Sequence, residues 1–150
     1  MNLARLERRL KQDEGYRPYP YRDSLGVWTI GYGRTVILNE RVTSYTKTIS
    51  EAQATEWLRA DAYQAIMDAY DLFPNFEELS SVRREVLANM AFNLGKTKLS
   101  KFRKMRAAID GRKYVEAATE MKNSRWYRQV GRRADRLIFA MLRDRYEESL

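Results

Sequence analysis

Apolar residues recur with helical spacing over most of this chain and with strand spacing in one short stretch near its start. Leu3, Leu6 and Leu10 fall at i, i+3 and i+7, the stripe of an amphipathic helix. Asn2 suits its N-cap, and Gly15 suits the left-handed position just past its end. At 3.6 residues per turn, Glu14 projects from the same stripe as Leu3 and Leu10. Pro18 and Pro20 then hold the chain extended, and Asp23-Ser24-Leu25-Gly26 reads as a turn. From Val27 to Gly33 the period becomes that of a strand. Trp28, Ile30 and Tyr32 share one face, while Val27, Thr29, Gly31 and Gly33 share the other. That second face is nearly bare. Such a run suits the floor of a groove, or equally a glycine-rich bulge or corner with no ligand. Val36, Ile37, Leu38 and Val42 suggest a further short strand, and Ser44 to Thr48 a polar loop.

The rest of the chain reads as helical. Ser50 followed by Gln53 forms a capping box, which opens a long helix. Ala54, Trp57, Leu58, Asp61, Ala62, Ala65, Ile66 and Ala69 lie on its mainly apolar side. It ends near Tyr70, because Pro74 cannot continue it. Val82, Val86, Leu87, Met90, Ala91 and Leu94 make a strongly apolar helix closed by Gly95. Leu99, Phe102, Met105 and Ile109 make the next, stopped by Asp110-Gly111. Tyr114, Ala117, Ala118 and Met121 make a short one. Trp126 opens a turn that Gly131 interrupts, and Ala134, Leu137, Ile138, Met141 and Leu142 belong to a last amphipathic helix, Arg132 to Tyr146. These stripes read as core.

Composition narrows the chemistry. At 150 residues and 44% hydrophobic, one domain with a real core is expected. The chain has neither Cys nor His. Disulfides, thiolate or imidazole metal sites, and Ser-His or Cys-His catalysis are therefore excluded. Acid–base work falls to carboxylates, Lys or Tyr. No apolar run reaches the length of a signal-peptide core or a membrane span, so synthesis and folding in a cytoplasm are expected. The net charge of +8 is uneven: the last fifty residues carry 14 Lys and Arg against 7 acids. Such a surface favours polyanions, whether nucleic acid, anionic lipid or the acid-rich bacterial wall.

The candidate chemistry lies between Glu14 and Gly33. An acid in the last turn of a helix faces the negative end of the dipole, and an apolar face adds desolvation. Both favour the neutral form that a general acid needs. A solvated glutamate at a frayed end is the alternative.

Glu14, Asp23 and Thr29, spaced Glu-x8-Asp-x5-Thr and followed by Gly31 and Gly33, resemble the catalytic core of the T-even-type phage lysozymes, glycoside hydrolase family 24. Ser81-Val82-Arg83-Arg84, Asn89-Met90-Ala91-Phe92-Asn93-Leu94-Gly95 and Ser124-Arg125-Trp126-Tyr127-x-Gln129 resemble the same family's helical lobe, in the same order. The resemblance covers nearly the whole chain. It implies an α+β, lysozyme-like fold. A small lobe of about residues 15–60 with a β-hairpin or three-stranded sheet would be joined by the long helix to a larger helical lobe, about 61–150 plus the N-terminal helix 1–14. On that plan no separate wall-binding domain is expected.

The resemblance also implies a muramidase, a monomer without cofactor or metal, that inverts the anomeric centre. Glu14 would be the acid, Asp23 the carboxylate assisting water, and Thr29 the hydroxyl holding that water. Gly31, Asn93, Phe102 and Arg133 would contact substrate, and Arg133 would approach Glu14. Many relatives have His where Arg34 stands, and often Gln at Asn93; an acid in some relatives is replaced by Leu25. Arginine does not titrate near neutrality, so Arg34 reads as a structural ion-pair former. The implied partner is peptidoglycan, with no specific nucleic acid. The implied location is the host cytoplasm until release, by a holin, to the wall. The basic last helix adds a weak contact with anionic outer-membrane lipid as an idea, against an ordinary packed helix with a solvated face. A basic nucleic-acid-binding module without catalysis is the reading from a different class.

Overall fold

A computed structural model describes residues 1–23, 26–36 and 48–147. The expected strand at Ile37 to Val42, most of the 44–48 loop, and Ser24 and Leu25 of the turn lie outside the described residues. The elements are helix α1 (Leu3–Glu14), strands β1 (Arg17–Arg22), β2 (Trp28–Gly31) and β3 (Arg34–Thr35), the long helix α2 (Glu51–Leu72), a 3₁₀ turn at Phe76–Glu78, and six further helices. These are α3 (Ser81–Leu94), α4 (Lys96–Ser100), α5 (Arg103–Asp110), α6 (Tyr114–Lys122), α7 (Arg125–Val130) and α8 (Arg132–Arg143). The fold is α+β and lysozyme-like: an N-terminal helix and a three-stranded antiparallel sheet, then a long helix and a helical C-terminal region.

Contacts divide the chain into two compact units, Leu3–Tyr63 and Met1–Asn2 with Gln64–Leu150. The first unit contains α1 as well as the sheet, whereas the sequence reading attaches residues 1–14 to the helical part. The reason lies in α1's own contacts. Leu6 and Leu10 are buried, and Glu7 holds Arg59 of α2 through two hydrogen bonds of 3.0 and 3.1 Å. Leu3, placed on the same stripe, is instead exposed.

In the sheet, β1 and β3 flank β2. Proline has no N–H for a ladder and belongs at an edge or an irregularity. Pro18 and Pro20 have both: β1 is at an edge of the sheet, and its register on β2 shifts between Arg17, opposite Gly31, and Tyr21, opposite Thr29. The expected alternation of β2 is only partly realised. Thr29, Ile30 and Gly31 are all buried, so neither face of the strand is bare. A Cβ on Gly31 would meet the Ile49 side chain at 3.0 Å and the Ala54 Cβ at 3.2 Å. The glycine is there to let α2 and the segment before it approach β2.

Helix α2 starts as read: Ser50 Oγ accepts from the Gln53 N–H at 3.1 Å. It runs 22 residues, two beyond the expected end. In the second unit, the core gathers Phe73, Leu87, Met90, Leu99, Met105, Ile109, Met121, Trp126 and Met141. Two differences from the sequence reading stand out. The apolar run Leu99 to Ile109 is two helices, because Phe102 leaves helical geometry (φ −76°, ψ 59°) and the Ser100 hydroxyl donates to the Thr97 carbonyl at 2.5 Å. The last helix ends at Arg143, with Asp144 left-handed (φ 58°). Tyr146 is therefore outside the helix, and its hydroxyl donates at 3.2 Å to Glu85, a fully buried carboxylate that also accepts from the Asn2 N–H. The inner face of α8, with Ala134, Leu137, Ala140 and Met141, is buried in the core. Its outward Arg132, Arg136 and Arg143 are exposed.

Candidate active site

Glu14 is the last residue of α1, where Gly15 turns left-handed (φ 68°) and its N–H closes on the Lys11 carbonyl at 2.9 Å. The side chain lies half-buried against the backbone of Gly33. A Cβ added to Gly33 would stand 2.3 Å from Glu14 Oε2 and 2.6 Å from its Cδ. Gly33 is itself left-handed (φ 72°). Glycine is therefore required twice at this position: for the backbone conformation, and to leave the carboxylate its seat. The alternating glycines after Thr29 carried that signal, but the sequence did not tell which glycine serves α2 and which serves Glu14.

Asp23 sits at the mouth of the β1–β2 hairpin and fastens it. Its N–H donates to the Val27 carbonyl at 2.9 Å, its Oδ1 accepts from the Val27 N–H at 2.9 Å, and its carbonyl accepts from Gly26 at 3.0 Å. A carboxylate tied to the backbone in this way holds a fixed direction. Thr29, 4% exposed, donates from Oγ1 to the Val27 carbonyl at 2.9 Å. That bond uses its proton and leaves the oxygen able to accept one.

Tyr21 lies opposite Thr29 in the ladder. Its phenol is pushed above the usual range, chiefly by burial and then by the negative charges of Glu14 and Asp23; Arg17, whose guanidinium lies 4.4 Å from the ring centre, acts the other way. The charges of Glu14 and Asp23 thus both act on one phenol. Arg34 behaves as expected of a structural cation. Its Nε is 3.8 Å from Asp61 Oδ2, and its guanidinium lies 4.7 Å from the Trp57 ring centre. Asp61 is raised by burial, with Arg34 opposing the rise.

Glu14, Asp23, Thr29 and Gly31 all belong to the first unit; Asn93, Phe102 and Arg133 belong to the second. Asn93 Oδ1 accepts from the indole N–H of buried Trp126 at 2.7 Å, and Phe102 meets the same indole edge-on at 6.3 Å. Arg133, 8% exposed, donates from Nε to Asn89 Oδ1 at 3.0 Å. Asn89 and Glu85 were missed by the sequence reading. The available signal was two polar residues at i, i+4 within the otherwise apolar run from Glu85 to Ala91. Of the residues expected to meet substrate, Gly31 is enclosed by Ile49 and Ala54.

A family model described as phage lysozyme matches residues 11–148. The chain belongs to the phage lysozyme family. It is 31% identical over 157 aligned residues to a protein of Dictyostelium discoideum described as probable T4-type lysozyme 2, covering 91% of this chain and 92% of that one. It is 33% identical over 89 residues to the endolysin of Salmonella phage P22, covering 59% of this chain and 60% of that one. It is also 29% identical over 132 residues to the peptidoglycan hydrolase gp36 of Pseudomonas phage phiKMV, covering 88% of this chain and 14% of that longer protein. This phage-lysozyme-family member is accordingly a glycoside hydrolase acting on peptidoglycan. A glycosidase commonly works with two carboxyl groups flanking the scissile bond. In this lysozyme-family chain, Glu14 stands at a helix end and Asp23 at a hairpin mouth, both in the first unit.

Proposed function

We propose that the chain is an endolysin of muramidase type, cutting the β-1,4 bond between N-acetylmuramic acid and N-acetylglucosamine with inversion. Glu14 protonates the leaving oxygen. Asp23 takes a proton from water on the opposite face of the sugar, and Thr29 accepts a hydrogen bond from that water. The observation that carries this reading is the seat of the Glu14 carboxylate on Gly33, which no other residue could provide. An inverting pair needs a separation of roughly 6.5–9.5 Å to admit the water, whereas about 5 Å suits a covalent, retaining route.

Arg133, a cation oriented by Asn89, is assigned to substrate. Asn93 and Phe102 are assigned to the glycan. With its oxygen held by Trp126, Asn93 would offer its amide N–H groups to a sugar. The enzyme acts on the wall after release from the host cytoplasm through a holin, and lysis follows. The basic outer face of α8 is left as a surface for weak contact with anionic outer-membrane lipid.

The test is digestion of purified peptidoglycan by the wild type and Glu14→Gln, with analysis of the released ends. New N-acetylmuramic acid reducing ends, first appearing as the α-anomer and absent with Glu14→Gln, are expected. N-acetylglucosamine ends, a β-anomer first, or an active Glu14→Gln would overturn the assignment of bond, mechanism or acid respectively.

A further inference from the structure

An open pocket of about 630 Å³ on the first unit is not lined by Glu14, Asp23 or Thr29. One wall is a face of α1, with Ala4, Glu7, Arg8, Lys11 and Gln12; Tyr16, Tyr32 and Arg59 complete it. The volume lies in the range of small-molecule sites, which combine apolar walls with a few convergent polar groups. Both features are present. The Tyr16 and Tyr32 rings stand 5.7 Å apart at 45°. Their hydroxyls are already committed, to the Ile49 carbonyl and to Glu51 Oε1, so what they offer a ligand is mainly carbon.

The charge is one-sided. Three cations, Arg8, Lys11 and Arg59, face one carboxylate, Glu7. Both Glu7 oxygens are engaged by Arg59, and Lys11 stands 3.6 Å away. The Arg59 grip, opposed by burial, holds Glu7 below the usual carboxylate range, so that charge is fixed and already balanced. The lining residues by themselves keep two net positives, carried toward solvent by exposed Arg8 and half-buried Lys11, while Glu51 on the Tyr32 hydroxyl and Glu56 near Arg59 are carboxylates outside the lining. Lys11 also lies 5.4 Å from the Tyr32 ring centre, which places its ammonium beside the aromatic wall. Exposed Gln12 adds an amide at the same rim.

We propose that this cavity is a second ligand site, for a small molecule carrying two carboxylates beside an apolar body. Guanidinium binds a carboxylate through two parallel N–H bonds, and ammonium binds the second as a point charge. Two sources supply that chemistry: free dicarboxylic acids, and the acidic stem peptides of the wall. The second source rests on the peptidoglycan-hydrolase reading; the site itself does not.

The test is an NMR titration of the whole chain, following the ring signals of Tyr16 and Tyr32. The probes are N-acetylmuramyl-L-alanyl-D-glutamate, the same compound with both carboxylates amidated, and glutarate. Saturable shifts with the dipeptide acid are expected, weakened by added salt as exposed charge contacts are. Affinity should fall about tenfold in Arg8→Ala/Lys11→Ala, since each exposed ion pair is worth only a few-fold. Arg8→Ala alone, which leaves the Lys11 packing in place, should show an intermediate loss. Glutarate matching the dipeptide would support the site with free diacids as its ligands, and a tighter dipeptide would support the wall peptide. No saturable shift with either acid, equal binding of the diamide, or unchanged affinity in the double variant would overturn the proposal. Repeating the titration on Glu14→Gln separates the two readings. Binding there should be unaltered, whatever that variant does to hydrolysis.

Discussion

Gly33→Ala separates the seat of the acid from the stability of the fold. At φ 72° an alanine costs about 1–2 kcal/mol in backbone strain. At about 2–4 °C per kcal/mol for a chain of this length, Tm should fall by about 2–8 °C. The second effect is local. The new methyl would sit 2.3 Å from Glu14 Oε2, whereas ordinary contact begins at 3.4 Å. The obstacle is the end of a flexible side chain, so the carboxylate moves by about 1 Å at little further cost in stability. A misplacement of that size at a reacting group costs about 10²-fold in rate. Gly95→Ala is the control. Its φ is also positive (82°, with ψ 160°, a region essentially confined to glycine), but a Cβ there meets nothing within 4 Å, and its capping bond to Ala91 survives. Urea unfolding and initial rates of peptidoglycan clearing on both variants decide the matter. A stability loss in both variants, with a rate collapse in Gly33→Ala alone, is expected. A fully active Gly33→Ala, or an equal rate loss in Gly95→Ala, would refute the reasoning.

Three further outcomes follow from contacts outside the carboxylate pair. Arg34→Ala removes the cation from Trp57 and leaves Asp61 more strongly raised; about 1 kcal/mol of stability should be lost, with clearing activity kept within about twofold. A buried acid whose folded value is raised destabilises once ionised, so the variant's deficit should grow as pH rises from acid toward neutral, as read by urea midpoints. Glu7 has the opposite sign: it is lowered, so its contribution is complete above its ordinary value of 4.5 and is lost as pH falls through the lower folded value. Glu7→Gln should lower Tm by about 1–3 °C at pH 7, with the two melting curves converging in acid. Asn93→Leu strands the buried indole N–H of Trp126 and should cost about 1–3 kcal/mol in urea unfolding; a smaller loss would mean that the bond is not a stabilising one.

Local rules carried much of this protein. The stripe that buries Leu6 and Leu10, the Ser50 cap of α2 and the glycine stops at Gly15, Gly95 and Gly131 each depend on residues within a few positions, so the sequence alone located those elements. The spacing of Glu14, Asp23 and Thr29 was picked out through a family resemblance and not by local rules; Arg34 was legible as an ion-pair former, because arginine has no other protonation state to offer. Assignment of partners was not legible. Gly31 and Gly33 look alike in the chain, yet one admits Ala54 of α2 and the other the Glu14 carboxylate, since each glycine's neighbour arrives from a distant segment. The exposure of Leu3, the turn at Phe102 and the release of Tyr146 from α8 toward Glu85 likewise depend on what packs alongside. Burial is a sum over the whole fold, and a sequence pattern records only which residues tolerate it. Tertiary packing alone decided that Glu85 and Asn89 lie buried in α3, one bonded to the Asn2 N–H and Tyr146, the other to Arg133.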